Sequence, residues 1–484
     1  MTTDAQATHI QQINDYIEAE LARWQVPGLA LAVIKDGEVI HKQGYGLRDR
    51  EANLAVDADT VFAIGSCTKA FVTMGVQMLA EQGKLNWDTP IREYLPDFRL
   101  QDSVATQQMT ARDLLCHRGG LPRHDQSWYG SPLSRRELYA RLRYLQPSQP
   151  FRYLYQYQNL MYMTGGLLIE AVSGQTWEAF TQEHIFKPLS MTRSQLSVQQ
   201  SEADDNAARP YSINHNDQTV KRLPYRNLDA IGPAGSINSN LNDMLNWLHL
   251  HMADGAPLTD ANGLRNLHSA YVTVPPQAET APPIPQIHGN GYGLGWASQT
   301  YWGYQRIWHT GGIDGFITDV SFFPQARLGI IVFNNGQDSL STTVSRSVSD
   351  ILLGLERIDW RQKVEDVISA GRKKLAEAHG QFHASRKADA PLTHAIGAYV
   401  GNYGNPGYGD MTISHADDSL QATYNGLTLE LTHFHYNTFE THHELLEDAP
   451  PLALTFHIGI SGEIEALTVR LEPTTAPIRF TKAV

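Results

Sequence analysis

A chain of 484 residues is longer than a single compact core usually grows, so its length points to two or three folded units. With 42% hydrophobic and 18% charged residues it is neither a disordered chain nor a membrane-spanning one, and no run approaches the ~20 apolar residues of a membrane helix. A formal net charge of −13 repels phosphate backbones and anionic bilayers, so neither nucleic acid nor membrane is expected as a partner.

In chain order, Ile10, Ile13, Ile17, Leu21 and Trp24 recur at spacings of three and four, which marks an amphipathic helix ended by Pro27 and Gly28. No basic segment with a following apolar run precedes it. Cytoplasmic residence is therefore expected, with a periplasmic one if a leader has been removed. Leu29 to Ile34 and the segment from Val39 towards Tyr45 flank Asp36-Gly37, a hairpin signal, because these residues accept the positive φ of a tight turn. Ser66 to Gln82 reads as an apolar helix closed by Gly83, and Leu160 to Val172 as another ending at Gly174. Thr110 with Asp113 and Ser134 with Glu137 have capping-box spacing.

The stretches from Gln195 to Asn227 and from Val274 to Gln286 read as long irregular loops, and Gly289 to Gly295 as a loop-strand junction. Strands are expected at Tyr304 to Trp308, Phe316 to Phe323 and Leu328 to Phe333, then a helix from Thr342 to Leu355. A hairpin first, helices in the middle and strands last imply an α+β unit whose two ends share one antiparallel sheet. Residues 361 to 380 read as a charged helix and Ser385 to Ala390 as a linker. Beyond it, Leu420, Ala422 and Tyr424, the turn at Asn425-Gly426, and Leu427, Leu429 and Leu431 alternate as strands of a small all-β, barrel-like unit. The expected domains are therefore 1–385 and 386–484.

Ser66-Cys67-Thr68-Lys69 is the single Ser-x-x-Lys in the chain. Positions i and i+3 share a helix face, so the hydroxyl and the amine come within reach. A serine hydroxyl needs a base beside it, and a lysine serves once burial disfavours its charged form. The alternative reading is an N-cap serine beside a surface lysine. Tyr157-Gln158-Asn159 opens an apolar helix, where a phenol can relay a proton and an amide can orient an amine. Tyr-x-Asn recurs at Tyr225–Asn227 and Tyr403–Asn405, and position within the helical block favours Tyr157. His309-Thr310-Gly311-Gly312 lies between two strands, where glycines admit a close substrate backbone and an oxyanion-binding amide. His-x-Gly also occurs at His117–Gly119 and His457–Gly459. Cys67 and Cys116 make no disulfide framework or zinc spacing, and His433, His435, His442 and His443 lack an ordered carboxylate or thiol partner, so no metal and no cofactor is expected.

Taken in order, Ser66 with Lys69, then Tyr157 with Asn159, then His309 to Gly312 resemble the class C β-lactamase-like superfamily, which includes penicillin-binding proteins and D-aminopeptidase-type serine peptidases. The likeness spans about residues 10 to 355 and takes in Leu114-Leu115-Cys116-His117-Arg118-Gly119-Gly120-Leu121-Pro122; Gly397 to Lys482 resemble an accessory β domain. The resemblance implies Ser66 as nucleophile, Lys69 as base and Tyr157 as proton relay. Asn159 would hold Lys69 and substrate, the amides of Ser66 and Gly312 the oxyanion, and His309 would flank the pocket beside Gly311. True class C β-lactamases carry a lysine where this chain has His309. A neutral ring is a poor anchor for a carboxylate, so a small peptide, amide or ester is the expected substrate rather than an antibiotic. An esterase or weak β-lactamase would use the same residues, and a non-catalytic binding or assembly protein is the reading of another class. Assembly into a homo-oligomer is open.

Overall fold

The computed structural model describes residues 3–214, 217–275, 284–337, 339–416, 419–443 and 450–483. Its centre is the strand Gly28–Lys35, buried from Gly28 to Ile34. Side chains alternate across a strand, and here the alternation sorts two cores. Leu29, Leu31 and Val33 face one, with Ile13, Ile17, Val344 and Val348 of the helices Thr3–Trp24 and Leu340–Leu353. Ala30, Ala32 and Ile34 face the other, under the helical block. The chain's first hairpin and the late strands share one sheet, as the order of elements implied. Among the described residues its nine strands run Leu54–Ala55, Glu38–Asp49, Gly28–Lys35, Leu328–Asn334, Phe316–Phe323, Tyr304–Ile313, Ala297–Tyr301, Ile287–Tyr292 and Val272–Thr273. The register Leu29↔Asn334 brings the two ends of the domain side by side, and Gly312↔Ile317 closes the hairpin two strands along.

In the helical block, Lys69–Glu81 packs on Asn159–Ser173. Gly165 and Gly166 permit this: a Cβ on Gly165 would sit 3.1 Å from Val72 Cγ1, and one on Gly166 only 2.2 Å from Pro233 Cγ. The second approach carries the turn Gly232–Gly235 down onto the head of the first helix. Both expected capping boxes form, at Thr110 with Asp113 and at Ser134 with Glu137.

The helix Trp360–Ala384 leads into a closed barrel of eight antiparallel strands, from Gly401–Asn405 to Ile478–Lys482. Leu420, Ala422, Tyr424, Leu429 and Leu431 point inwards, and Asn425 and Gly426 turn the chain with φ of 48° and 77°.

Three expectations are revised. The strand beginning at Tyr304 does not stop at Trp308 but runs to Ile313, because Gly311 and Gly312 continue the ladder against Thr318 and Ile317. Ile287–Tyr292 is a strand, held by pairing to Ala297–Tyr301 rather than by its own propensity. The stretch from 195 to 227 contains a short helix, Val198–Glu202, and a hairpin pairing Tyr211–Asn214 with Thr219–Arg222. Of the loop expected between 274 and 286, residues 276–283 lie outside the described residues. No helix among the described residues is long and apolar enough to cross a membrane.

Candidate active site

Ser66 lies on a 3₁₀ turn, Gly65–Thr68, one turn tighter than the continuous helix the sequence suggests, and Lys69 begins the α-helix proper. The turn is pinned by Ile64 N–H donating to Ile237 O at 3.0 Å and Ile237 N–H donating to Thr68 Oγ1 at 3.1 Å. Gly65 has a φ of +49°, and a Cβ there would meet Gly312 N at 2.7 Å. Glycine is thus required twice over, by conformation and by space.

Lys69 is wholly buried, and its three partners are uncharged: Asn159 Oδ1 at 2.8 Å, Ala234 O at 2.7 Å and Ser66 Oγ at 2.9 Å. A neutral amine has two hydrogens and one lone pair. Asn159 Oδ1 and Ala234 O can only accept, so they take the two hydrogens. The lone pair is left for the one partner that can donate, the Ser66 hydroxyl. Burial, and then the nearby charge of Arg123, hold the Lys69 ammonium well below its ordinary range.

The phenol of Tyr157 is buried close enough to the Ser66 side chain to feel it, and its ring centroid lies 4.8 Å from Lys69 Nζ. Burial pushes its pKa up, so the phenol keeps its proton. Asn159 donates onward from Nδ2 to Asp125 Oδ1 at 3.1 Å. A Cβ on Gly311 would stand 1.8 Å from Ile64 O and 3.0 Å from Ser66 N, so the strand passes directly against the nucleophile's turn. His309 is buried, with Nε2 3.0 Å from the Tyr292 hydroxyl and Nδ1 2.6 Å from Thr310 O. The carbonyl can only accept, so Nδ1 carries a hydrogen, and burial, which lowers the pKa of the ring, favours its neutral form. Of the other copies of these motifs, Tyr225 stacks on Phe316, Tyr403 and His457 belong to the barrel, and His117 alone lies against the site, packed on Tyr157. Cys67 is buried with its thiol on His309 O.

Several contributors carry no sequence signal. Ala234 acts through its carbonyl. Arg123 lies 5.0 Å over the Tyr157 ring and pairs with Asp125 at 2.6 Å. His117, with φ of 64°, accepts Gln158 N–H on Nδ1 and packs against Tyr157 and Tyr292.

Burial, then the charge of Lys69, push His309 down to about 3 from 6.5, and burial does the same to His268. Unfolded imidazoles take up protons between those values and the folded ones do not, so stability is whole above about pH 6.5 and is lost as pH falls towards 3. Calorimetry is expected to show a level melting temperature from pH 8 to about 6.5 and a fall of several degrees below it; a level profile down to about pH 4 would show that these rings protonate within the fold.

A hydroxyl backed by a buried amine one turn along, beside an inner strand of an antiparallel sheet, places the molecule among the serine hydrolases. The Beta-lactamase family model matches residues 13–353, and the chain belongs to that family. Residues 385–482 match a domain of unknown function. The chain is 31% identical over 420 residues to unguisins hydrolase ungD' of Aspergillus campestris, covering 83% of this chain and 77% of that protein. It is 24% identical over 344 residues to protein flp of Staphylococcus aureus, covering 69% and 64% of the two. The octameric penicillin-binding protein homologue from Pyrococcus abyssi superposes with a TM-score of 0.64 at 20% identity, covering 98% of this chain and 100% of that one. D-amino acid amidase from Ochrobactrum anthropi superposes at 0.59 and 21%, covering 72% and 98%.

Proposed function

We propose that the protein hydrolyses small amides or peptides, and esters of similar size, through an acyl-enzyme on Ser66. The observation that carries this reading is the contact of the wholly buried Lys69 Nζ with Ser66 Oγ at 2.9 Å, its other two hydrogen-bond partners being acceptors only. Lys69 draws the proton as Oγ attacks the carbonyl. The amides of Ser66 and Gly312 receive the oxyanion, a role supported by the approach of Gly311 to the nucleophile's turn. Tyr157, protonated at rest, passes its proton to the leaving amine and takes up in its place the proton that Lys69 drew from Ser66. Water then enters, and the same groups run the proton transfers in reverse to release the acid and restore Ser66.

His309 forms one wall beside Gly311 and Gly312 and, being neutral, gives a substrate carboxylate no cation to bind. This supports amides and peptides without a carboxylate at that end over β-lactam antibiotics. Hydrolysis also agrees with the name of the unguisins hydrolase relative. We assign the hydrolase domain to residues 1–385 and the barrel domain to 386–484, the change falling at the end of the helix Trp360–Ala384.

Intact mass after fluorophosphonate treatment tests the reading. One adduct on the wild type and none on Ser66→Ala is expected. Equal labelling of both proteins would move the nucleophile elsewhere, and no labelling of either would favour a binding protein.

A further inference from the structure

The loop from Arg123 to Trp128 touches the site on one side and the barrel on the other. On the site side, Asp125 Oδ1 accepts Asn159 Nδ2 at 3.1 Å and Trp128 Nε1 at 2.9 Å, while Arg123 covers Tyr157. Between Arg123 and Asp125 stands His124, fully buried and in the left-handed conformation with φ of 48°. A residue with a β-carbon holds that conformation only where its surroundings impose it. Those surroundings come largely from the barrel. Tyr408 Oη lies 2.6 Å from His124 Nδ1, and the His124 amide donates to Glu472 Oε2 at 3.0 Å. His124 Nε2 donates to Gln146 O at 2.9 Å, which leaves Nδ1 as the acceptor of the Tyr408 hydroxyl. Glu472 is buried, and its other oxygen accepts from the Thr474 amide at 3.1 Å and the Thr474 hydroxyl at 2.8 Å. The next carbonyl of the loop but one, Gln126 O, accepts from Tyr424 Oη at 2.8 Å and Asn425 Nδ2 at 2.9 Å, both on the barrel's Asn425-Gly426 hairpin.

We propose that the barrel is a working part of the hydrolase site: Tyr408 and Glu472 clamp His124, and His124 thereby holds Asp125 against Asn159 and Arg123 over Tyr157, which fixes the orientation of Lys69. His124, Tyr408 and Glu472 are on this account positioning residues, since none of them touches Ser66 or Lys69. The inference rests on the Ser66–Lys69 reading above and adds to it a use for the domain of unassigned function. A path of four hydrogen bonds and one peptide bond runs from barrel to nucleophile: Glu472 to the His124 amide, His124 to Asp125 along the chain, then Asp125 to Asn159, Asn159 to Lys69 and Lys69 to Ser66. Misplacing the last members by a fraction of a hydrogen-bond length is enough to cost rate, because attack requires aligned atoms.

The charges on the loop give the clamp a second signature. Lys69 is faced by Arg123 and Asp125 from this loop, by Cys67 from its own turn, by Tyr157 and Tyr162 from the segment and helix opposite, and by His117 and His309 behind. Arg123 disfavours the ammonium more than Asp125 favours it. Loosening the loop removes both, and the amine then keeps its proton to a higher pH.

The test uses the full-length chain with Tyr408→Phe, which keeps the ring, and Glu472→Gln, which turns one accepting oxygen into a donor facing an N–H. Fluorophosphonate labelling of Ser66 is followed by intact mass between about pH 5 and 9, so the final amplitude counts competent sites and the rate reports the reaction at each one. A slowing of ~10- to 100-fold at unchanged amplitude, with the acid limb moved to higher pH, is expected in each variant. A merely structural role would lower the amplitude alone. Wild-type rates and pH profiles in both variants would overturn the inference while leaving the Ser66 reading intact. Labelling of wild type that persists in Ser66→Ala would overturn the reading and this inference with it.

Discussion

Lys69→Met is expected to fold and to label at Ser66 about 10³-fold more slowly than wild type, the size of effect of losing a positioned general base. Methionine keeps most of the stem that packs between the helices Lys69–Glu81 and Asn159–Ser173 and gives up only the amine. Folding survives because burying the lysine head is itself costly and is offset by only three neutral partners. Lys69→Arg is expected to be as slow, since a guanidinium does not lose its proton at any pH the protein survives. In the wild type the rate is expected to fall as the medium is acidified through the pKa of Lys69, which lies well below that of an ordinary lysine. Stopped labelling with intact-mass detection checks all three. A Lys69→Met protein that folds and labels at the wild-type rate would remove the base from the mechanism.

Gly311→Ala is expected to be the most damaging single methyl that can be added near the site. The new Cβ would lie 1.8 Å from Ile64 O and 3.0 Å from Ser66 N, both backbone atoms that cannot rotate away. Either the strand Tyr304–Ile313 or the turn Gly65–Thr68 must shift, at ~1–3 kcal/mol of overpacking and ~100-fold in acylation. Gly312→Ala is the internal control for packing: its Cβ would meet only Ile317 Cδ1, at 3.1 Å, the far end of a flexible side chain, and the substitution keeps the Gly312 N–H assigned to the oxyanion. Urea unfolding and labelling rates of the two variants should therefore separate. Equal behaviour would mean that the approach of strand to turn has no bearing on the reaction.

Local information was legible wherever the residues in question lie within a few positions of one another. Ser66 and Lys69 are three apart on one turn, Tyr157 and Asn159 two apart at a helix start, and each motif's decoy copies were separable by the element that carried them. The hairpins at Asp36-Gly37 and Asn425-Gly426 were legible for the same reason: positive φ is a property of those residues themselves. What escaped was set by pairing across the chain. The strand through His309 was cut short because glycine weakens a strand in isolation, and only its antiparallel neighbour Phe316–Phe323 carries the ladder on to Ile313. Ala234 supplies a carbonyl, which no side-chain pattern announces. Asp125 lies 34 residues from Asn159, and His124 lies 348 from Glu472, so no spacing rule connects them. His117 falls in the loop that resembles the family's, and its place against Tyr157 depends on a left-handed turn that its residue type does not announce.

The charge on one nitrogen can be read directly. Protein labelled with ¹³C at lysine Cε, with the Lys69 signal assigned by its loss in Lys69→Met, reports the protonation of each amine by NMR as pH is changed. One lysine signal that reaches the neutral-amine position well below the pH at which the other lysines do is the result this account predicts. A Lys69 signal that stays at the ammonium position up to about pH 9 would contradict it, because Ser66 would then face a cation with no lone pair to receive its proton.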